Sequence, residues 1–294
     1  MLKIKIFLIT VLGVAMMGLL TGCSFGMRTS YVYTNGDQYV AGDREISEKI
    51  DTLDIDYVSG DVMLEASSSD KIVIRETSLK ELDDKRKVHT WVEGSVLHVR
   101  YCASAKKLDL NRLGKKLTIE LPSDMELGDI DLKVASGDVK ANCGAGNINV
   151  RSASGNISFV QKGNSSDIEL STASGDVDLK AENADKITVS AASGNIDIYA
   201  LDAKEVESAT SSGETTVSFA RVPKTSNISG TSGDITIYLP EDPDVTASLK
   251  ATTGDITYRQ AFTKSEDIYV CGNGGNEMNA HTVSGDISIE VISD

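Results

Sequence analysis

The stretch Ser174-Gly175-Asp176-Val177-Asp178-Leu179-Lys180-Ala181 is followed by a polar turn over 182–185, by Ile187, Val189 and Ala191, and then by Ser193-Gly194-Asn195-Ile196, the opening motif again. Its apolar residues alternate with polar ones on both sides of the turn. A period of two over five residues marks a strand with one face buried. Each unit therefore supplies two short strands and two turns. A unit of this size cannot satisfy its own backbone groups, but units stacked in register can bond strand to equivalent strand at about 4.8 Å. The stretch predicts one coil of a parallel β-solenoid. Gly at the corner allows a positive φ, and the Asp or Asn after it is expected to bond the backbone of its own turn.

Outward from this unit, the tetrad recurs along the chain. It reads Ser136-Gly137-Asp138-Val139, Ser154-Gly155-Asn156-Ile157, Ser212-Gly213-Glu214-Thr215, Ser232-Gly233-Asp234-Ile235, Thr253-Gly254-Asp255-Ile256 and Ser284-Gly285-Asp286-Ile287, with an early copy at Ser59-Gly60-Asp61-Val62. From Gly137 the successive spacings are 18, 20, 19, 19, 20, 21 and 31 residues. The expected fold is all-β, a β-helix with coils of about 19 to 21 residues, right-handed by crossover sterics. Residues 46–294 form the solenoid domain in this reading, with looser N-terminal coils and a cap over 46–117 and regular coils over 118–294. Pro122 and Pro240, which follow Ile119-Glu120-Leu121 and Ile237-Tyr238-Leu239, are expected to end strands because proline offers no ladder donor.

Composition supports a thin, repetitive core. The chain has 294 residues, 40% apolar and only 5% aromatic, with 25 glycines and a net charge of -15. That apolar fraction argues against disorder, and such an acidic chain lacks the clustered cations from which nucleic-acid binding draws its affinity.

The N-terminus reads as an export address. Lys3 and Lys5 precede an apolar run of 15 residues, Ile6 to Leu20, and Leu20-Thr21-Gly22-Cys23 closes it. At about 1.5 Å per residue this run is too short to span a hydrocarbon core of about 30 Å. The closing tetrad resembles the bacterial lipobox. That resemblance implies a signal peptide over 1–22, acylation of the Cys23 sulfur with diacylglycerol, and a lipidated tether over 23–45. The plainer alternative is a secretory leader with an incidental cysteine. Cleavage would remove Lys3 and Lys5 and take the charge from -15 to -17. Cys102, Cys143 and Cys271 lie far apart in alternating stretches and read as buried thiols, with room for one disulfide and no CxxC site.

One further likeness concerns the order of elements. A Ser59-Gly60-Asp61-Val62 strand, a Val96-Leu97-His98-Val99 strand after Glu93-Gly94, an Ile119-Glu120-Leu121-Pro122 exit and then serial tetrads resemble the DUF4097 adhesin family over Ile46 to Asp294. The resemblance implies a β-solenoid on exported or membrane-bound bacterial proteins, some of them associated with envelope-stress systems. It brings no catalytic residues and no cofactor.

The residues themselves offer little chemistry. The histidines are His89, His98 and His281, and no HExxH, GxSxG, Walker or dinucleotide fingerprint occurs. Stacked carboxylates could serve a carbohydrate enzyme, but the tetrad Asp is replaced by Asn156, Asn195 and Glu214, as a structural ladder tolerates. One carboxylate per coil is also too few for calcium.

Two features exceed what a solenoid needs. The segment 80–116 carries ten cations against five anions, leaving -22 on the rest of the mature chain. Lys106, Lys107, Arg112, Lys115 and Lys116 are therefore candidate contacts to anionic lipid or envelope polymer. The run Gly272-Asn273-Gly274-Gly275-Asn276 lengthens the last unit and is a candidate recognition loop. The sequence thus points to a non-enzymatic, lipid-anchored protein on the extracytoplasmic side of a bacterial membrane. Its partners would be the membrane itself through the anchor and, beyond it, envelope polymer, a host surface or envelope-stress membrane proteins. It would act as an adhesin or envelope scaffold, or as an accessory or sensor of a stress system. A carbohydrate-active enzyme is the remaining alternative.

Overall fold

The alternation of Val177, Leu179 and Ala181 with Asp178 and Lys180 drives one face of each strand inward, and those three residues are buried while the polar two are exposed. The same phase holds in Ile196, Ile198 and Ala200 one coil further on, so like residues stack on like. A computed structural model describes residues 31–105 and 113–292; the proposed signal peptide, Cys23 and the first part of the tether lie outside the described residues.

Each regular coil has a long strand, a corner of Ser or Thr, Gly and then Asp, Asn or Glu, and a shorter strand. Leu127–Ser136 leads to Val139–Cys143, and Ala145–Ser152 leads to Ile157, where the strand Ile157–Ser174 runs through its turn into the next coil. All of these pair in parallel with their equivalents above and below, in register except for a shift between Gln161 and Asn164. At the corners the glycines have φ between +117° and +144°.

The stack does not follow the order of the chain at either end. The early unit Thr52–Ser59 and Asp61–Ser67 pairs on one side with Leu127–Ser136 and Val139–Cys143, and on the other with Val96–Arg100 and Lys116–Pro122. At the far end the last unit, Asn276–Ser284 and Ile287–Val291, sits between Thr225–Ser232 with Ile235–Leu239 and Val245–Thr253 with Ile256–Tyr258. The chain thus lays its outermost coil first and then returns to insert the last one. Ten coils result, about 43 Å from first to last at about 4.8 Å per step. The regular coils begin at Leu127 and not at 118, because 116–122 belongs to the outermost N-terminal coil.

Antiparallel strands cap the N-terminal end. His89–Glu93 pairs along the whole of Val96–Arg100, and Ile72–Thr77 pairs with 116–120. The core of the middle coils is aliphatic apart from the fully buried rings of Phe159 and Phe219, while buried tyrosines gather toward the two ends, Tyr31, Tyr57 and Tyr101 at one and Tyr269 at the other.

The Asx side chains act between coils, which corrects the expectation that each would bond its own turn. Asn156 N–H donates to Asp138 Oδ1, Asp176 N–H to Asn156 Oδ1 and Asn195 N–H to Asp176 Oδ1, each at 2.8 Å. The ladder continues out of chain order as Asp286 N–H to Asp234 and Asp255 N–H to Asp286, both at 2.8 Å. From Asp138 to Asn195 the alternation of Asp with Asn separates the full charges, whereas Asp234, Asp286 and Asp255 stack directly on one another. Cys143 and Cys271 are free thiols, Cys102 is buried, and burial pushes Cys143 up to about 12.

Candidate functional site

The basic section resolves into residues of different kinds. Lys106, Lys107 and Arg112 lie outside the described residues. Lys116 is exposed on the outward face of its strand. Lys115, expected to reach a partner, is instead buried, because it precedes Leu117, Ile119 and Leu121 in the inward phase of the alternation. Its Nζ lies 2.7 Å from Glu76 Oε1 and donates to the carbonyls of Tyr101 at 2.5 Å and Arg86 at 2.8 Å. The ammonium also sits 3.9 Å from the centroid of the Tyr101 ring. Burial lowers the Lys115 pKa, with Glu76 opposing the shift. Glu76 in turn accepts from Tyr57 Oη and from the Val88 N–H, both at 2.8 Å. This is a cross-brace between the cap and the first coils. Three further cations are paired as well: Arg86 with Asp83, Lys87 with Asp84, and Arg100 with Asp54. Asp83 and Asp84 are already counted in the +5 of the segment, so Glu76 and Asp54, which come from outside it, offset two of its charges.

Above this brace lies a second polar cluster. Asp54 accepts from Arg100, and its Oδ2 is 2.6 Å from His98 Nδ1. Burial raises the Asp54 pKa, yet the hydrogen bonds and charge of Arg100, with His98 beside it, win and hold it below the usual carboxylate value. Asp56, one outward position along, is shifted the other way by burial. His98 stacks on Trp91 at 5.3 Å, and Tyr39 tilts against Trp91 at 5.5 Å. Trp91 reaches His98 from the adjacent hairpin strand, whereas Asp54 comes from a strand 44 residues earlier in the chain.

The run 272–276 is a turn and carries its own partners. Gly275 N–H donates to Asp244 Oδ1 at 3.0 Å, Asn276 Nδ2 to the Asp244 carbonyl at 2.7 Å, and Thr246 Oγ1 to the Gly274 carbonyl at 3.1 Å. Gly272, Asn273 and Gly275 are exposed. The turn brings the chain back from a small hairpin, Thr263–Ser265 with Ile268–Cys271, into the inserted coil. The 31-residue spacing thus reflects threading at the end of the stack.

The broadest surface is the outward face of the long strands. There Asp129, Asn147, Asp167, Lys186 and Glu205 form one column, and Asp131, Asn149, Glu169, Thr188 and Glu207 form a second beside it. Lys186 lies 3.3 Å from Glu205 and 3.2 Å from Glu207. Among the described residues no group of three or more His, Cys, Asp or Glu side chains is placed to hold a metal ion, and no helix is long and apolar enough to cross a membrane.

These features define a parallel β-solenoid with a capped N-terminal end and repeating polar columns. The chain belongs to the DUF4097 family, described as Toastrack DUF4097, whose profile matches residues 50–290. Among solved structures it is similar to a candidate lipid-binding protein from Parabacteroides distasonis ATCC 8503, with a TM-score of 0.51 and 19% identity over 85% of this chain and 96% of that one. A candidate adhesin from Bacteroides fragilis NCTC 9343 gives a TM-score of 0.49 and 16% identity over 86% of this chain and 97% of the other. No curated protein matches.

Proposed function

We propose that this chain is a lipid-anchored, extracytoplasmic and non-enzymatic solenoid that works as an adhesin or envelope scaffold, presenting surface to a partner. The observation that carries the reading is the pair of outward columns from Asp129 to Glu205 and Asp131 to Glu207, which repeat polar groups at the coil spacing along a rigid face. A surface with a fixed period suits a partner that also repeats, such as an envelope polymer. The candidate adhesin similar to this chain is in keeping with that use.

Geometry also suits an anchor at Cys23. Tyr31 is buried at the N-terminal cap, its hydroxyl donating to the Asp56 carbonyl at 3.0 Å. The eight residue steps from Cys23 to Tyr31 reach at most about 27 Å, so the cap would stand next to the membrane and the other end would point away from it. Cys23→Ala is expected to move the protein from the membrane fraction to the soluble fraction with unchanged urea unfolding. Retention of the variant in membranes, with no lipid on the wild-type chain, removes the anchor.

The partner is tested by placing a photo-crosslinker at Glu169 or Glu207 in intact cells. Capture of envelope polymer or of a surface ligand is expected. Capture confined to membrane proteins of a stress system overturns the scaffold reading in favour of an accessory role.

A further inference from the structure

The two ends of the stack are finished differently. At the N-terminal end antiparallel strands cover both edges of the outermost coil. At the C-terminal end the hairpin strand Ile268–Cys271 covers only 245–248 of the outermost long strand, and Ile256–Tyr258 pairs with the inserted coil alone. Inside the stack, the corner glycine and the aliphatic residue two places on donate to the following coil: Gly194 N–H to the Ser212 carbonyl and Ile196 N–H to the Glu214 carbonyl, both at 2.9 Å. Gly254 and Ile256 hold the equivalent positions in the outermost coil, and among the described residues no strand pairs with them on the outer side. Leu249 N–H faces the same way and donates to the Asp267 carbonyl at 3.2 Å, so by strand alternation the Ala251 amide also faces outward, past the end of the hairpin. An open edge of this kind is a template for another strand.

We infer that this edge pairs with the same edge of a second copy of the chain, antiparallel across a two-fold axis. Three observations select that occupant. The first is reach: a tether held at Cys23 starts at the opposite end of the stack, about 43 Å away, and its eight residue steps span about 27 Å. The second is the cap: its outermost pieces, Val40–Ala41 and Arg44–Ile46, are two- and three-residue strands paired antiparallel, so the N-terminal end offers no full-length parallel edge for head-to-tail stacking, which favours an isologous contact. The third is charge. Residues 245–275 carry Lys250, Arg259 and Lys264 against Asp255, Glu266 and Asp267, a neutral tip on a chain of -15, so two tips meet without the repulsion that the flanks would impose. Antiparallel pairing is open to any strand edge with alternating donors and acceptors, and it needs no side-chain pocket.

The joined rods would point in opposite directions. Resting on the anchored-scaffold reading above, such a contact links copies held in two facing membranes, which makes the second copy the partner of the distal tip. The pairing itself is independent of lipid and is tested without it.

The lipid-free Cys23→Ala chain is followed by sedimentation across a concentration series and by amide exchange at low and high concentration. The mass is expected to double, with exchange at Gly254, Ile256 and Ala251 slowing about tenfold or more while interior amides such as Ile196 stay unchanged. Ala251→Pro removes an outward donor. The edge runs over 251–256, so the axis falls between Thr253 and Gly254, and Thr253→Lys sets two cations beside each other there; both variants are expected to remain monomeric. Native circular dichroism is required of each, and Thr253→Lys decides alone if Ala251→Pro unfolds the outer coil. A monomer at all concentrations, a dimer whose three amides still exchange fast, or a dimer that survives Thr253→Lys overturns the inference. Failure of the anchor shows separately, as membrane retention of the Cys23→Ala chain.

Discussion

Gly194→Val is expected to cost about 2–6 kcal/mol and to lower the urea midpoint accordingly, from two independent effects that add at one position. The backbone there has φ +144°, where side chains other than hydrogen are strained, and a Cβ would stand 2.0 Å from the Gly175 carbonyl oxygen in the coil beneath. Every interior corner repeats this approach, so the carbonyl cannot retreat without disturbing the next corner. Gly163→Ala separates the two effects. Its φ is +71° with nothing within 4 Å of the added Cβ, so only the strain of about 1–2 kcal/mol is expected. Asp197→Ser, on the exposed face between Asp178 and Thr216, should stay within about 0.5 kcal/mol. Equal midpoint shifts for Gly194→Val and Asp197→Ser would show that the corners do not carry the stack.

The second large effect is expected at the cross-brace. Lys115→Met strands the Glu76 carboxylate in a site where the two side chains are 0% and 3% exposed, and removal of one partner of a buried pair costs about 3–5 kcal/mol. Adding Glu76→Gln should recover much of that loss. Glutamine carries no charge to desolvate and still offers an oxygen to Tyr57 Oη or the Val88 N–H. Lys116→Gln, one residue along and exposed, should change stability by less than about 0.5 kcal/mol. Denaturant titration of the four chains is sufficient. Similar small shifts for Lys115→Met and Lys116→Gln would place both lysines in solvent and remove the brace.

That contrast shows how far local reading reaches. Alternation runs Lys115, Leu117, Ile119, Leu121 on the inward phase, so the buried position of Lys115 was legible before any coordinate; reading the segment as a block of charge obscured it. The identity of its counter-ion was not legible. Glu76 lies 39 positions earlier in a stretch with no period, and only the antiparallel pairing of Ile72–Thr77 with 116–120 brings it near.

What the sequence determined by itself is whatever repeats. The phase of two, the corner glycine and the spacing near 20 residues each set a local conformation whose unpaired backbone groups could be satisfied only by stacking, and so the parallel solenoid followed. The positive φ at Gly194 and the strand ends at Pro122 and before Pro240 were local consequences of the same kind. The tertiary structure decided everything that depends on which coil lies against which. Identical tetrads fit any neighbour equally well, so nothing in Thr253-Gly254-Asp255-Ile256 or Ser284-Gly285-Asp286-Ile287 states that the later one is inserted beneath the earlier. The same degeneracy hid the direction of the Asx bonds, which run between coils because a stacked neighbour presents its N–H at 2.8 Å. The difference between a closed end and an open one arises from long-range pairing of the cap strands, where loop closure and antiparallel register set the outcome and no short motif records it.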